Sequence, residues 1–444
     1  MKFKDKNISI IGMARTGIAA ANFLAGQGAR VTLMDGKPKE VLGDAPEQLA
    51  SGVNTVFQSS QPLPDADLVI LSPGVDIHSP DLNSARESGT EIISELELAY
   101  RVSETPIIAI TGTNGKSTTT SLIGRLLEQG GKDVRVGGNI GVPFVSLVKD
   151  QPRDYMVLEI SSFQLEGAVE FHPKISVILN ITPDHLDRHK TIERYAELKE
   201  RIAAHQTKDD VLVLNHDDPW VHRVAAGKRS QKWYFSMSGP VERGCYLNGD
   251  RVLFKDGEKE EAICRISELH QTMQWQVENI LPSALVARLA GIDAASIAKT
   301  LREFKGLEHR LEWVRSLNGV DFINDSKGTN IGALEKSLNS FDRPIILIAG
   351  GQDKGGDFQS LKPLFKKKVK HMVLIGEARP KIQEILNGSF GYEDADDMKT
   401  AVRRAYAQAQ PGDVVLLSPA CASFDMFQDY ADRGRQFKGC VQSL

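Results

Sequence analysis

The chain has 444 residues, 41% of them hydrophobic and 25% charged, which is ordinary usage for a globular protein. At about 150 residues per domain, this length predicts roughly three domains and excludes a single small module. The 54 basic and 58 acidic side chains give a net charge of −4, which does not indicate a nucleic-acid partner.

Neither a secretion signal nor a membrane span is predicted. Lysines precede an apolar stretch at the amino terminus, but the stretch is short and Arg15 interrupts it. A run of about 18 apolar residues, which a membrane span requires, does not occur. The four cysteines form no CxxC pair, so a disulfide framework or a thiolate zinc site is not indicated. We therefore expect a cytoplasmic protein without a membrane partner.

Short apolar segments alternate with helical patterns along most of the chain, and this alternation is typical of parallel βαβ units. The predicted strands are 8–11, 31–34, 68–71, 107–110, 156–160, 177–179, 211–214, 345–349, 372–375 and 414–417. Residues 234–263 instead contain short strand-like pieces between glycine turns, which predicts a small antiparallel insert. Helical periodicity returns over 277–290 and 294–304. We place domain boundaries near Glu95 and Lys305, which gives domains 1–95, 96–305 and 306–444.

The first glycine turn follows the first predicted strand in "IIGMARTG". Gly12 and Gly17 occupy the outer positions of a GxGxxG pattern, but Ala14 stands at the middle one. Asp35 ends the next strand, where an acidic residue can bind a ribose hydroxyl. The pattern indicates a nucleotide or diphosphate site, and the alternative is a tight turn that packs strand on helix. The loop "LSPGV", with Ser72 and Gly74, is predicted at the same sheet edge.

The most informative motif is "TGTNGKST", between a buried strand and a helix. Its glycines allow backbone N–H groups to converge on phosphate oxygens, Lys116 supplies a cation, and the Ser117 hydroxyl can reach Mg²⁺. The usual GxxxxGK[ST] spacing is not met because Ile110 lies five residues before Gly115; the loop has the shorter GxxGKS form. A tight connection without a ligand is less favoured, because strand, loop and helix follow in the right order.

Two strand ends of the middle region carry further polar residues. Glu159 and Ser161 follow one strand, and Asn180, Asp184 and His185 follow the other. A carboxylate and a histidine at the edge that holds the phosphate loop can complete a Mg²⁺ shell or bind substrate.

A zinc protease is disfavoured for the histidine pair of this region. His185 and His189 have the i, i+4 spacing of HExxH, but Leu186 replaces the catalytic glutamate. The alternative for either histidine is a surface or helix-capping role.

Three polar loops follow predicted strands in the last third of the chain, where the βα pattern again puts binding loops at one edge. Their sequences are "NDSKGTN", "AGGQDKGGDF" and "LLSPACASFDMFQDYADRG". Each could also be an ordinary polar loop. Cys421 is interpreted as a small buried residue, because no partner base is close in sequence.

Taken together, "GTNGKST", "NIGVP", "LEISSFQLE", "NITPDHLDRH", "NDSKGTN" and the last loop resemble the Mur ligases of peptidoglycan synthesis, over essentially the whole chain. The resemblance implies an α/β protein of three domains: a Rossmann-like first domain, a central P-loop ATPase-type parallel sheet with a small antiparallel insert, and a Rossmann-like last domain. It also implies an ATP- and Mg²⁺-dependent amide ligase that adds D-glutamate to UDP-N-acetylmuramoyl-L-alanine through an acyl phosphate, and we expect a monomer.

The same resemblance implies roles for individual residues. Catalysis would depend on Lys116, Glu159, His185 and Lys199. The nucleotide would be bound by Asn114, Gly115, Lys116, Ser117, Thr118, Asn279, Arg310, Asp325 and Lys327. Magnesium would be bound by Ser117, Glu159, His185 and a carbamylated Lys199. The UDP-muramoyl substrate would contact Thr16, Asp35, Lys37, Ser72, Gly74, Asn139 and Ser161. D-Glutamate would contact Thr329, Lys354, Ser423, Phe424 and Tyr430.

One stretch departs from the family pattern, and two other classes of protein remain as alternatives. The family shows GxHNxxN where this chain has "MQWQVEN", with Trp275 and Gln276 in place of His and Asn, so nucleotide contacts near Asn279 are expected to be rearranged. The alternatives are an NAD-dependent oxidoreductase using the first domain and a P-loop NTPase switch. The first lacks an evident hydride-transfer site, and the second would not explain the polar loops of the last third.

Overall fold

A computed structural model describes residues 3–58, 65–148, 151–386, 388 and 391–444. The chain forms two compact units. One comprises Met1–Ile181, His185–Cys264 and Glu278–Thr300, and the other comprises Thr182–Asp184, Arg265–Val277 and Leu301–Leu444. None of the helices in the described ranges has both the length and the apolar content needed to cross a membrane.

The first sheet has five parallel strands in the order β3-β2-β1-β4-β5. The strands are β1 (Asn7–Ile11), β2 (Arg30–Asp35), β3 (Asn54–Phe57), β4 (Leu68–Leu71) and β5 (Glu91–Ser94), and the helices are α1 (Arg15–Gly26), α2 (Asn83–Glu87) and α3 (Glu95–Val102). From β1 the chain adds β2 and β3 on one side, and it then crosses over to place β4 and β5 on the other side of β1. Such a reversal leaves a crevice between the carboxyl ends of the two strands.

The second sheet has nine strands in the order β14-β13-β12-β11-β10-β9-β6-β8-β7. They are β6 (Ile107–Thr111), β7 (Val134–Gly138), β8 (Tyr155–Glu159), β9 (Ile175–Ile178), β10 (Val211–Asn215), β11 (Gln231–Ser236), β12 (Arg243–Asn248), β13 (Arg251–Asp256) and β14 (Lys259–Arg265). Strands β6 to β12 pair in parallel, whereas β12 and β13 are antiparallel. The predicted insert therefore exists, but its strands extend the parallel sheet.

Nine α-helices lie between β6 and β15 in the described chain. They are α4 (Lys116–Gln129), α5 (Phe144–Leu147), α6 (Ser162–Glu166), α7 (Leu186–His189), α8 (Ile192–Glu200), α9 (Pro219–Val224), α10 (Gln271–Gln274), α11 (Val277–Leu289) and α12 (Ala294–Glu303).

The third sheet lies in the second unit and has the order β15-β16-β20-β17-β18-β19. Its strands are β15 (Glu312–Leu317), β16 (Val320–Asn324), β17 (Ile345–Gly350), β18 (Val369–Ile375), β19 (Tyr392–Ala395) and β20 (Val414–Leu417). Strands β15 and β16 form an antiparallel hairpin, and the other neighbours are parallel. The helices are α13 (Ile331–Asn339), α14 (Lys362–Lys368), α15 (Arg379–Leu386), α16 (Met398–Gln408) and α17 (Tyr430–Gln442).

The predicted α/β class is confirmed, and each predicted strand forms within three residues of its predicted ends. Strands such as β6, β17 and β20 are buried along their whole length because helices cover both faces of a parallel sheet. Residues of the first two sheets belong to one continuous apolar cluster, which includes Ile10 of β1 and Ile107 of β6. The three sheets lie within the three predicted domain ranges, whose boundaries stay a prediction.

A buried carboxylate fastens α3 to the loop before β9. Glu97 is fully buried, and its Oε2 accepts backbone N–H bonds from Val169 (2.8 Å), Glu170 (3.0 Å) and Phe171 (3.1 Å). Its Oε1 lies 2.9 Å from Nε of Arg101. Through this single side chain, the helix that follows the first sheet is bonded to a loop of the second sheet.

We predict that Glu97→Ala lowers the free energy of unfolding by about 3–5 kcal/mol, because it leaves buried N–H donors and a guanidinium without their acceptor. Urea-induced unfolding, followed by circular dichroism, measures the change. Glu170→Ala is the matched control, because Glu170 lies in the loop that Glu97 contacts and its side chain is 68% exposed. Its free energy of unfolding should stay within about 0.5 kcal/mol of the wild-type value. Equal losses for the two variants would contradict the assignment.

Candidate active site

The phosphate loop connects β6 to α4 in a tight turn. Gly115 directly precedes the helix in the left-handed region, with φ 86°. A Cβ atom at this position would collide with Oδ1 of Asn279. Glycine is therefore required both by the backbone conformation and by the close approach of Asn279, which the structure places against the loop.

Asn180 holds the loop from the neighbouring strand β9. Its backbone carbonyl accepts from the Thr113 N–H (2.9 Å), and its side-chain Oδ1 accepts from the Asn114 N–H (2.8 Å). Its Nδ2 donates to the Asn114 carbonyl (3.0 Å). Three hydrogen bonds from one residue therefore fix the loop backbone. In the sequence, Asn180 is recognisable only as a polar residue that follows a predicted strand.

Glu159, at the end of β8, lies on the other side of the loop. Its Oε2 accepts from the Ser117 hydroxyl (2.6 Å), and its Oε1 accepts from Nδ2 of Asn139 (2.7 Å). A hydroxyl and a buried carboxylate in contact form the hard oxygen donor set that Mg²⁺ prefers, and such sites are normally completed by substrate phosphates and water. Ser117 and Glu159 therefore fit the predicted magnesium site.

Two lysines meet at the carbonyl of Gly112. Nζ of Lys116 donates to the carbonyls of Gly112 (2.9 Å) and Thr113 (2.8 Å), and Nζ of Lys199 donates to Gly112 (2.8 Å). Lys199 is only 1% exposed, and its Nζ lies 4.4 Å from the centre of the Tyr195 ring. Burial is rare for lysine. Lys116 therefore places a cation at the glycine loop, where it can meet the charge of a polyphosphate, and the buried amine of Lys199 lies beside it.

The two histidines of "HLDRH" have different environments. His185 directly precedes α7, has φ 53° and is exposed, and its ring centre is 5.0 Å from that of Phe163. His189 is buried, with Nε2 3.0 Å from the Ser162 hydroxyl. Ser161 caps α6 through the Gln164 N–H. Only His185 of the pair therefore faces solvent.

In the first sheet, the predicted residues gather at the carboxyl edge. The Ser72 hydroxyl donates to the Gly12 carbonyl (2.7 Å), and this bond spans the crevice between β4 and β1. Asp35 accepts N–H bonds from Met13 (2.7 Å) and Lys37 (2.9 Å), so it holds the first glycine turn in place. Thr16 lies in the first turn of α1, and Gly74 is exposed in the loop after β4.

The first glycine turn also reaches the second sheet. Nη2 of Arg15 donates to the backbone carbonyl of Asn139 (3.2 Å). Asn139 therefore contacts both the first-sheet turn and the carboxylate of Glu159.

In the second unit, the three predicted polar loops follow β16, β20 and β17, which are neighbours in the sheet. Asp325 is enclosed there: its carboxylate accepts from the hydroxyls of Ser337 (2.7 Å) and Ser418 (2.9 Å) and from the Leu311 N–H (3.2 Å). Burial raises the pKa of Asp325 to about 6. Its carboxylate therefore organises three segments around the edge.

The other predicted residues of this edge differ in exposure. Nζ of Lys327 lies 3.9 Å from the centre of the Tyr430 ring, so these two side chains are brought together. Ser423 is buried, whereas Phe424 is 68% exposed. Lys354 is exposed, and Thr329 is half-buried in the loop after β16.

Arg433 was missed by sequence reasoning. It is fully buried in α17 and donates to the carbonyls of Ser326 (2.8 Å), Cys421 (3.1 Å) and Ala422 (3.2 Å). Burial lowers its pKa to about 10. In the sequence it looks like an ordinary helical arginine, and its position within "DYADRG" was the available signal. Cys421 is buried as predicted, which raises the pKa of its thiol to about 12.

The departure at "MQWQVEN" has a structural role. Nε2 of Gln276 donates to the backbone carbonyl of Arg310 (3.0 Å), so Gln276 positions a predicted nucleotide-binding residue through its backbone. The Trp275 ring packs against Phe341, with ring centres 4.9 Å apart.

Comparison with known proteins identifies the family. The Mur ligase MurD-like N-terminal domain matches residues 6–94, the Mur ligase middle domain matches 110–287, and the Mur ligase glutamate ligase domain matches 309–421. These matches cover more than half of the chain, so it belongs to the Mur ligase family.

Relatives match along the full length. A UDP-N-acetylmuramoylalanine–D-glutamate ligase of Acidobacterium capsulatum is 44% identical over 99% of this chain and 97% of its own. The protein of the same name from Caldanaerobacter subterraneus subsp. tengcongensis is 42% identical over 100% of both chains.

Solved structures share the fold. The pseudomurein peptide ligase type C of Methanothermus fervidus has a TM-score of 0.62 and 17% identity over 99% of this chain and 100% of its own. The MurF ligase of Thermotoga maritima, solved with ADP, has a TM-score of 0.61 and 17% identity over 93% of this chain and 95% of its own.

We predict that Lys116→Ala lowers the rate of phosphate release from ATP by about 10³-fold, because the loop loses a cation positioned against developing negative charge. A coupled phosphate assay measures the rate, and circular dichroism checks the fold. Arg125→Ala, at an exposed position of the same helix, should keep the wild-type rate. Near-normal release by the Lys116 variant would refute the role of this lysine.

Proposed function

We propose that this protein is an ATP-dependent, ADP-forming amide ligase that joins D-glutamate to UDP-N-acetylmuramoyl-L-alanine in peptidoglycan precursor synthesis. The full-length relatives carry the name of this activity. One structural observation supports the proposal. The Ser117–Glu159 pair and two lysines surround a glycine loop at the carboxyl edge, where open α/β sheets bind ligands.

The proposed reaction has two steps. A carboxylate oxygen of the bound L-alanyl group attacks the γ-phosphorus of ATP, the bond to the β-phosphate oxygen breaks, and ADP leaves. The amine of D-glutamate then attacks the carbonyl carbon of the acyl phosphate, loses a proton, and expels phosphate. Lys116 lies where it can offset the charge that develops on the transferred group, and a preorganised charge of this kind acts mainly on the transition state.

Magnesium would be held by Ser117 and Glu159, with His185 and a carbamylated Lys199 as the proposed further ligands. When bound, it would neutralise phosphate charge during transfer. The donor set supports this proposal, because Ser117 and Glu159 already present adjacent oxygen atoms. Carbamylation would convert the ammonium of Lys199 into an oxygen ligand, which removes the repulsion between two cations.

The remaining residues have proposed binding roles. Asn114, Gly115, Thr118, Asn279, Arg310, Asp325 and Lys327 would serve the nucleotide. Thr16, Asp35, Lys37, Ser72, Gly74, Asn139 and Ser161 would serve the UDP-muramoyl substrate. Thr329, Lys354, Ser423, Phe424 and Tyr430 would serve D-glutamate. We also propose that the enzyme works as a monomer in the cytoplasm.

The function is tested by phosphate release from ATP in the presence of Mg²⁺ and UDP-N-acetylmuramoyl-L-alanine, with and without D-glutamate. Release should require the UDP-muramoyl substrate, and sustained turnover should also require D-glutamate, because its amine discharges the acyl phosphate. Mass spectrometry should then detect the dipeptide product. L-Glutamate is the control for stereochemical preference. Phosphate release that depends on neither substrate would contradict the proposed ligase.

Carbamylation of Lys199 gives a separate prediction. Lys199→Ala should be inactive, and added formate or acetate should partly restore turnover by supplying a carboxylate in the space that is left. Lys116→Ala is the matched control, because a carboxylate cannot replace a needed cation. Activity with and without the acid, at constant ionic strength, measures the effect. Equal responses of the two variants would argue against a carbamate.

A further inference from the structure

Arg188 reaches from α7 to the loop that follows β4 in the first sheet. Its Nη2 donates to the backbone carbonyl of Val75 (3.2 Å) and lies 3.4 Å from Oδ1 of Asp76. The same nitrogen donates to Oε2 of Glu166 (2.7 Å), at the end of α6. The side chain is 20% exposed. One guanidinium group therefore bridges the first and second sheets.

The loop after β4, which Arg188 contacts, contains residues with a proposed role in binding the UDP-muramoyl substrate. The Val75 N–H donates to the Ser72 carbonyl (2.9 Å), and the Ser72 hydroxyl donates to Gly12 (2.7 Å). Gly74 lies within the same turn. A ligand that shifts this turn would also shift the Val75 carbonyl, because the hydrogen bond closes the turn into one small unit.

On the near side, two connections join Arg188 to His185. The Arg188 N–H donates to the His185 carbonyl (3.1 Å), so both residues belong to one helical turn. The guanidinium carbon lies 5.8 Å from the centre of the Phe163 ring, and that ring centre is 5.0 Å from the ring of His185. A displacement of Arg188 would therefore move both the backbone and the ring neighbour of His185.

We propose that Arg188 is a positioning residue that couples binding of the UDP-muramoyl substrate at the first sheet to binding of the nucleotide and Mg²⁺ at the phosphate loop, through His185, the proposed magnesium ligand. The inference rests on the proposed function and adds a route of communication to it. Arginine suits this role because its planar guanidinium can bond a carbonyl and a carboxylate at once, whereas a lysine ammonium lacks this fixed geometry. A purely structural bridge would change stability and leave the two binding events independent.

Isothermal titration calorimetry tests the coupling directly. The affinity for UDP-N-acetylmuramoyl-L-alanine is measured without and with a saturating non-hydrolysable ATP analogue and MgCl₂. We expect the two affinities of the wild type to differ about five-fold or more, which is the usual range for coupled sites. In Arg188→Ala the ratio should fall to within about two-fold of one. Titrating in the reverse order must give the same ratio, because coupling is reciprocal.

Matched variants separate coupling from folding. Arg194→Ala removes an arginine from an exposed position of α8, where it pairs with Glu197, and should keep the wild-type ratio. Arg188→Lys keeps the charge but loses the planar fork and should give an intermediate ratio. It also provides the test if the alanine variant does not fold.

The outcomes distinguish this inference from the proposed function. Failure of the wild type to bind either ligand would overturn the proposed function and the inference with it. Normal binding of both ligands with a wild-type ratio of one would overturn only the inference. A ratio left unchanged by both Arg188→Ala and Arg188→Lys would do the same.

Discussion

The two oxygens of Glu159 serve different loops, and much of the site depends on this division. Oε2 accepts from Ser117 at the start of α4, and Oε1 accepts from Asn139 after β7. Because β8 lies between β7 and β6 in the sheet, a single carboxylate can reach both loops without bending the backbone. Its burial makes each bond costly to lose, since an unpaired buried carboxylate is strongly unfavourable.

The contacts that leave this centre explain why the first two sheets form one compact unit. Asn139 also accepts from Arg15 of the first glycine turn. Glu97 binds three backbone N–H groups of the loop before β9. Apolar residues of both sheets pack in one cluster between these polar contacts. The apolar contacts hold the two sheets together but are non-directional, so the polar bonds fix how one sheet is oriented against the other.

The parts that could be predicted from sequence are local in the chain. Buried strands are visible as continuous apolar runs, and the loop from Gly112 to Ser117 carries its glycines, cation and hydroxyl within a few residues. The burial of Lys199 against Gly112 could not be derived from composition, because its partner lies 87 residues away. The burial of Arg433 could not be predicted for the same reason, because its acceptors lie in the loops after two other strands. The glycine turns around β12 predict a small antiparallel insert, but they do not reveal that its strands join the parallel sheet, because pairing partners decide which sheet a strand joins.

Strand β14 forms one edge of the nine-stranded sheet. Its first four residues are exposed, and three of them, Lys259, Glu260 and Glu261, are charged. An open edge presents unpaired backbone groups to any other strand, and charged side chains there make pairing with a second chain unfavourable. The antiparallel extension of this sheet therefore ends in a charged edge, which disfavours the addition of a strand from a second copy of the chain.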